Sequence, residues 1–178
     1  MKVVIVGTAY PHRGGIAHFI GLLSKILLER GHEVTVFSFT RQYPSLLFPG
    51  KTQMESGPDP LQTQAQPVLD SINPCSWYKV GRMVRNLQPD VVIFKYWLPF
   101  FAPAFSTIAR MAKKGGRSKV PWICDNVIPH EKRIGDRFLT RLALKPDDRS
   151  LVMSASWEKD LLQLVPDVLF RPVHHPSD

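Results

Sequence analysis

Four short stretches of this chain carry groups suited to chemistry. The first is Gly7-Thr-Ala-Tyr-Pro-His12-Arg13-Gly14-Gly15, which runs into a segment of helical apolar spacing. Adjacent glycines at a helix N-terminus let main-chain N–H groups approach an anion closely, and the helix dipole favours negative charge at that end. His12 and Arg13 lean the same way. The plainer reading is that Gly14 and Gly15 only permit a tight turn into the helix. Gly-x-Gly-x-x-Gly does not occur and no Gly-Lys-Ser/Thr follows, which removes the nicotinamide fingerprint and the Walker A loop.

The second stretch is Lys95-Tyr96-Trp97-Leu98-Pro99, directly after an apolar run. The third, Asp125-Asn126-Val-Ile-Pro129-His130-Glu131, places two carboxylates, an amide and an imidazole together, a set that can hydrogen-bond sugar hydroxyls or assist proton movement. Its bland alternative is local: Asp125 or Asn126 bonds nearby backbone, and Pro129-His130-Glu131 opens a helix with Glu131 at the positive end. The fourth, Ser154 to Ser156, reads first as an N-cap. A further helix sets Ile134, Phe138 and Leu142 on one stripe and Arg133, Arg137 and Arg141 on the next. Such a basic amphipathic helix suits an anionic membrane surface, and ordinary packing with a solvated arginine face explains it equally.

These groups need elements to position them. Lys2-Val-Val-Ile-Val6 is a continuous apolar run of the kind found in parallel strands covered on both faces. Ile16, Phe19, Ile20, Leu23, Ile26 and Leu27 then recur at helical spacing up to Gly31, a natural C-terminal cap. With a strand over Glu33 to Phe39 they form a βαβ unit. Arg41 to Gln66 is rich in proline and lacks a sustained period, so it reads as a long loop that either touches ligand or is disordered surface. Asn73-Pro74 opens a helix with Trp77, Val80, Val84 and Leu87 on one face, closed by Pro89. Strands follow at Asp90–Phe94, Pro121–Cys124 and Leu151–Met153, with a proline-started apolar helix ending at Gly115-Gly116 between the first two. The alternation predicts an α/β fold: a Rossmann-like, doubly wound, mostly parallel sheet with helices on both faces, whose ligands sit beyond the carboxyl ends of the strands.

Composition bounds the partners. Lys and Arg number 23 against 15 Asp and Glu, a formal net charge of +8 that draws anions. Without a zinc-finger, RRM or KH signature, the expectation is no nucleic acid partner. Cys75 and Cys124 stand apart, too few for a disulfide framework or a zinc site, and read as core residues. The early apolar run is too short for a signal segment or a membrane span, so the chain reads as cytoplasmic, with peripheral contact at the inner face of the membrane left open by the basic helix.

In order, Gly14-Gly15-Ile16, Leu28-Glu29-Arg30-Gly31-His32-Glu33-Val34-Thr35-Val36, Pro89-Asp90-Val91-Val92 and Asn126-Val127 with Pro129-His130-Glu131 resemble the N-terminal domain of the retaining GT-B glycosyltransferases of family 4. The resemblance covers essentially the whole chain. It implies a Rossmann-like, acceptor-side domain over residues 1–170, with 171–178 starting a linker to a second domain absent from the sequence. It further implies a nucleoside-diphosphate sugar as co-substrate, no bound cofactor or metal, and a glycan or lipid-linked acceptor. Gly14, Gly15, His12, Arg13, Tyr96, Trp97 and Glu131 become candidates for the donor diphosphate or the acceptor, and Asp125, Asn126 and His130 for the sugar-contacting, catalytic set. Where many members carry His before this Asn or Asp, the chain has Asp125. The alternatives are a stand-alone flavodoxin-like phosphate or nucleotide-binding module and half of another nucleotide-sugar enzyme such as an epimerase.

Overall fold

The structure is a computed structural model that describes residues 1–44, 54–55, 57–59, 61, 63–116, 118–124, 135–144, 149–152 and 170–172. Strand β1 (Lys2–Val6) is the opening apolar run, and Val3 through Val6 are all buried. It pairs in parallel with β2 (Glu33–Arg41) on one side and β4 (Val91–Tyr96) on the other, so both its edges are taken. That central place is why the run shows no polar alternation. Helix α1 (Gly15–Glu29) links β1 to β2, and Gly31 turns the chain just beyond it at a φ of 77°, which suits only glycine without strain.

Strand β3 (Ala65–Asp70) corrects the long-loop reading of Arg41 to Gln66, since Arg41 closes β2 while Ala65 and Gln66 open β3. Pro67 hid the strand, because proline cannot donate to a central ladder. It is tolerated here since β3 lies at the sheet edge. Helix α2 (Pro74–Leu87) starts as expected, with Asn73 Oδ1 accepting from the Cys75 N–H at 3.0 Å. A short 3-10 turn (Pro99–Phe101), helix α3 (Ala102–Lys113), β5 (Pro121–Cys124), α4 (Asp136–Leu144), β6 (Arg149–Val152) and β7 (Phe170–Pro172) complete the described chain. Strand β7 pairs Arg171 and Pro172 with β6, so the sheet takes in these two residues. Cys124 is buried, but Cys75 is exposed in the first turn of α2 rather than part of the core.

All pairings between strands are parallel, and the order is β3-β2-β1-β4-β5-β6-β7. The winding reverses between β1 and β4, and such a reversal opens a crevice at the carboxyl ends of the strands. One face of the sheet holds an aromatic core against α2, α3 and α4, including Phe37, Phe39, Phe94, Tyr96, Phe101, Phe105 and Trp122. The Phe94 and Trp122 rings stack at 4.8 Å. On the other face a smaller cluster of Val3, Ile5, Ile20 and Val36 sits under α1. The chain is thus an α/β, Rossmann-like doubly wound sheet covered by helices on both faces.

Candidate functional site

Beyond β1 the chain is tied to its neighbour before it turns. Gly7 N–H donates to the Phe37 carbonyl at 3.1 Å, and Ala9 N–H to Ser38 Oγ at 3.0 Å. This carries the loop along the carboxyl end of β2 and delivers Gly14 and Gly15 to the start of α1, at the reversal of strand order. The two glycines differ. Gly14 has φ 115° and ψ 170°, a region almost closed to other residues, so the turn itself requires it. Gly15 is already helical, and a Cβ built on it would meet nothing within 4 Å. Neither the turn nor packing explains the second glycine. No side chain caps this helix end, and the first-turn N–H groups of a helix have no partners within it.

Beside the pair opens a cleft of about 400 Å³ lined by Tyr10, His12, Gly14, Gly15, Ala17, His18, Glu55, Asp59, Leu61 and Thr63. Its outer wall comes from the stretch that sequence periodicity could not parse. Met54 bridges to His12, and Glu55 N–H donates to the Pro11 carbonyl at 2.7 Å. Asp59 shapes the rest by accepting from the N–H groups of Leu61 and Thr63, an Asx-type turn. Leu61 and Thr63 then rest on α1 at Gly21, where a Cβ would come within 2.7 Å of Leu61 Cδ1 and 2.8 Å of Thr63 Oγ1. This strap is the part of the site that sequence reasoning missed, and its one legible sign was the turn chemistry of Gly57-Pro58-Asp59-Pro60.

His12, unlike its neighbour Arg13, is turned into the protein. It is 2% exposed, and Nε2 lies 2.8 Å from the Phe39 carbonyl. A carbonyl oxygen only accepts, so Nε2 carries a proton and donates it to Phe39. That buried Nδ1 has no partner among the described residues, a situation that costs about 1–3 kcal/mol. Arg13 is exposed at the rim.

The remaining candidates separate. Tyr96 and Trp97 are both buried in the aromatic core. Tyr96 lies within β4, fully buried, with its hydroxyl 3.2 Å from Thr140 Oγ1. Trp97 is 8% exposed, packs on Phe101 at 4.5 Å and donates Nε1–H to Tyr43 at 2.9 Å. The alternation of the strand turns Tyr96 into the aromatic core. Lys95 points the opposite way, buried, with Nζ 3.9 Å from the centre of the Phe19 ring. Asp125, Asn126, His130, Glu131 and Arg133 lie outside the described residues, as do Ser154 to Ser156. Arg137 falls within α4 with its side chain outside them, and Arg141 is exposed. The apolar stripe of α4 is offset from the expected one, with Thr140 and Ala143 buried and Leu139 packed on the core while Phe138 is 69% exposed. No described helix is long and apolar enough to cross a membrane, and no group of metal-binding side chains occurs among the described residues.

No family model matches the sequence, and no curated protein does. Solved structures match the fold. An alpha-glucosyltransferase in complex with UDP and a 13-mer DNA containing an HMU base superposes with a TM-score of 0.62 at 12% identity, over 96% of this chain and 42% of that one. An alpha-glucosyltransferase in complex with UDP gives 0.59 at 14%, over 95% and 40%. UDP-N-acetylglucosamine 2-epimerase from Rickettsia bellii gives 0.55 at 14%, over 96% and 44%. The chain therefore spans about two fifths of the length of these structures. At such identities the likeness establishes the fold. It also corrects the exclusion of nucleic acid, because several solved structures of this fold are DNA complexes and a missing zinc-finger, RRM or KH signature excludes nothing here.

Proposed function

We propose that the chain is one Rossmann-like lobe of a two-domain GT-B glycosyltransferase, similar to the retaining enzymes of family 4. The whole protein would move a sugar from a nucleoside-diphosphate sugar to a hydroxyl-bearing acceptor in the cytoplasm. The observation that carries the reading is Gly15: a helical residue with open space above it, heading α1 at the reversal of strand order, where neither turn nor packing asks for glycine. An absent side chain there leaves the first-turn N–H groups reachable by a diphosphate. Solved structures of this fold holding UDP support that chemistry.

Stabilising a leaving diphosphate takes donors fixed around it in a site that excludes water, and one lobe supplies only part of that shell. Asp125, Asn126 and His130, following β5 in sequence, are the residues we assign to the donor sugar, with Glu131 kept for the donor diphosphate or the acceptor. The acceptor is a glycan, a lipid-linked glycan or, given the DNA complexes of this fold, a nucleic acid carrying a free hydroxyl. Calorimetry of UDP and UDP-sugars against this chain alone tests the division into lobes. A Kd of roughly a millimolar or weaker, about 4 kcal/mol, is expected, and micromolar binding overturns it. With the companion lobe present, a transferred sugar of unchanged anomeric configuration supports the reading, whereas an epimerised donor and no transfer would assign the fold's epimerase chemistry instead.

A further inference from the structure

Residues 71–120 hold nine Lys and Arg against one acid, Asp90, a surplus equal to the chain's entire formal net charge of +8. Asp90 is engaged elsewhere, its Oδ2 accepting from the Lys2 N–H at 2.8 Å. The fold gathers the surplus on one surface. Helices α2 and α3 lie side by side on the same face of the sheet, and Gly81 lets them close so tightly that a Cβ there would run into Met111. A Cβ at Gly115 would likewise stand 3.7 Å from Arg85 Cγ, which brings the carboxyl ends of the two helices together. Lys79, Arg82 and Arg85 on α2, Arg110 and Lys114 at the end of α3, and Lys119 just beyond are all exposed. None of the six forms an ion pair among the described residues.

Helix dipoles favour cations in a last turn, which accounts for Arg85 and Arg110. They offer nothing to Lys79 and Arg82, which lie upstream in α2, while Arg110 and Lys114, four apart with like charge, repel each other. A surface that collects one sign of charge against its own repulsion complements a polyanion. A lipid surface fits it poorly, because an interfacial helix needs an apolar face beside its basic one, and no large apolar side chain is exposed on α3 or beyond Tyr78 on α2. We propose that the face formed by α2 and α3 binds the phosphodiester backbone of a nucleic acid, without reading its sequence, through these six cations. The Lys119 N–H donates to the Asp90 carbonyl beside the start of β4, so the patch lies at the amino end of the strands. About 16 Å of strand, at about 3.3 Å per residue, separates that end from the glycine turn at the carboxyl end. The face is thus apart from Gly14 and Gly15, and its assignment does not depend on the lobe taking part in sugar transfer.

The test is fluorescence anisotropy of the whole chain with a labelled, mixed-sequence DNA duplex of about two helical turns, repeated from about 50 to 300 mM salt. The logarithm of the association constant should fall linearly with the logarithm of salt, with a slope of about −5 for six phosphate contacts at about 0.9 each. Arg82→Gln combined with Lys114→Gln should weaken binding at least tenfold at the lowest salt and make the slope shallower by about 2. Lys25→Gln combined with Arg30→Gln removes equal charge from exposed positions at α1, across the sheet, and should leave the slope unchanged. Lys79→Gln with Arg110→Gln repeats the first measurement should that pair fail to fold. An equal loss from the α1 pair would reduce the effect to net charge and overturn the proposal, as would a parent slope shallower than about −2. Polyglutamate displacing the duplex at matched charge would assign the face to an acidic protein instead. Tighter binding to phosphatidylserine vesicles than to the duplex at the same salt would assign it to a membrane.

Discussion

Gly14 and Gly15 make separable predictions, because one is demanded by backbone geometry and the other is not. Alanine at Gly14 must adopt φ 115° and ψ 170°, which costs on the order of 1–3 kcal/mol. For a domain of this size that lowers Tm by roughly 2–12 °C, at about 2–4 °C per kcal/mol. Alanine at Gly15 meets nothing within 4 Å and keeps helical backbone, so it should gain about 0.4–1 kcal/mol by restricting the unfolded chain. Its methyl group, however, would stand where a diphosphate approaches the first-turn N–H groups. The Gly15→Ala chain should therefore melt slightly higher than the parent yet lose at least tenfold in its UDP response, about 1.4 kcal/mol. Urea unfolding followed by tryptophan fluorescence reads the first quantity, and the Ile16 and Ala17 amide shifts under UDP read the second. If Gly15→Ala proves as destabilising as Gly14→Ala, or leaves the UDP response intact, the pair is only a turn and the anion argument fails.

Three further changes probe the scaffold. Gly81→Ala drives a Cβ into Met111 Sδ and within 3.1 Å of Met111 Cβ, pushing α2 off α3. A loss of roughly 1–3 kcal/mol is expected in chemical denaturation, with Met111→Ala in the same chain restoring part of it. Asn73→Ala removes the cap on the Cys75 N–H and should cost about 1 kcal/mol, seen as earlier unfolding of α2 in amide exchange. Asp70→Asn tests the edge of the sheet. Partial burial pushes the Asp70 carboxyl up, but the Arg41 guanidinium together with the Ile72 and Asn73 N–H groups outweighs it and holds the group below the usual carboxylate range. A carboxylate lowered on folding adds stability above its unfolded value, near about 3.9, and loses it as pH falls through the folded one. Asp70→Asn should thus lower Tm modestly at pH 7, since Arg41 is half exposed and screened, and the two melting curves should draw together as acidification passes the unfolded carboxylate value and goes on through the folded one. A difference that stays constant across that acidification would locate the effect in packing.

Legibility in the sequence followed burial. β1, β4 and β5 were readable because central parallel strands are apolar without interruption, and α1 and α2 because their inward faces recur at helical spacing and their ends carry glycine or Asn-Pro. β3 was not, because an edge strand tolerates the proline that otherwise argues against a strand. The burial of Tyr96 was not legible because β4 runs on to that residue, so the strand's alternation continues where a loop was expected. For the site, glycine pairing was visible and the cleft was not. Its second wall comes from Glu55, Asp59, Leu61 and Thr63, whose contacts to Pro11 and Gly21 are long-range and leave no local period to read.

The placement of these groups constrains any transfer chemistry the lobe takes part in. A glycosyl transfer brings a leaving diphosphate and an attacking hydroxyl to the same anomeric carbon, so their sites must adjoin. Gly14 and Gly15 both head α1 and line the cleft, so a ligand on the helix end and one in the cleft would adjoin there. On the reading proposed above, negative charge developing on the diphosphate would be matched by the main-chain donors at this helix end. Were the two chemistries exchanged, phosphate would meet Glu55 and Asp59, and hydroxyl oxygens would compete poorly for a charged helix terminus. On that reading the donor diphosphate sits on the helix-end side of the glycine pair, away from Glu55 and Asp59. A ligand found with its phosphate against Asp59 and its sugar over Gly15 would reverse that orientation and remove the basis for placing the donor at the helix end.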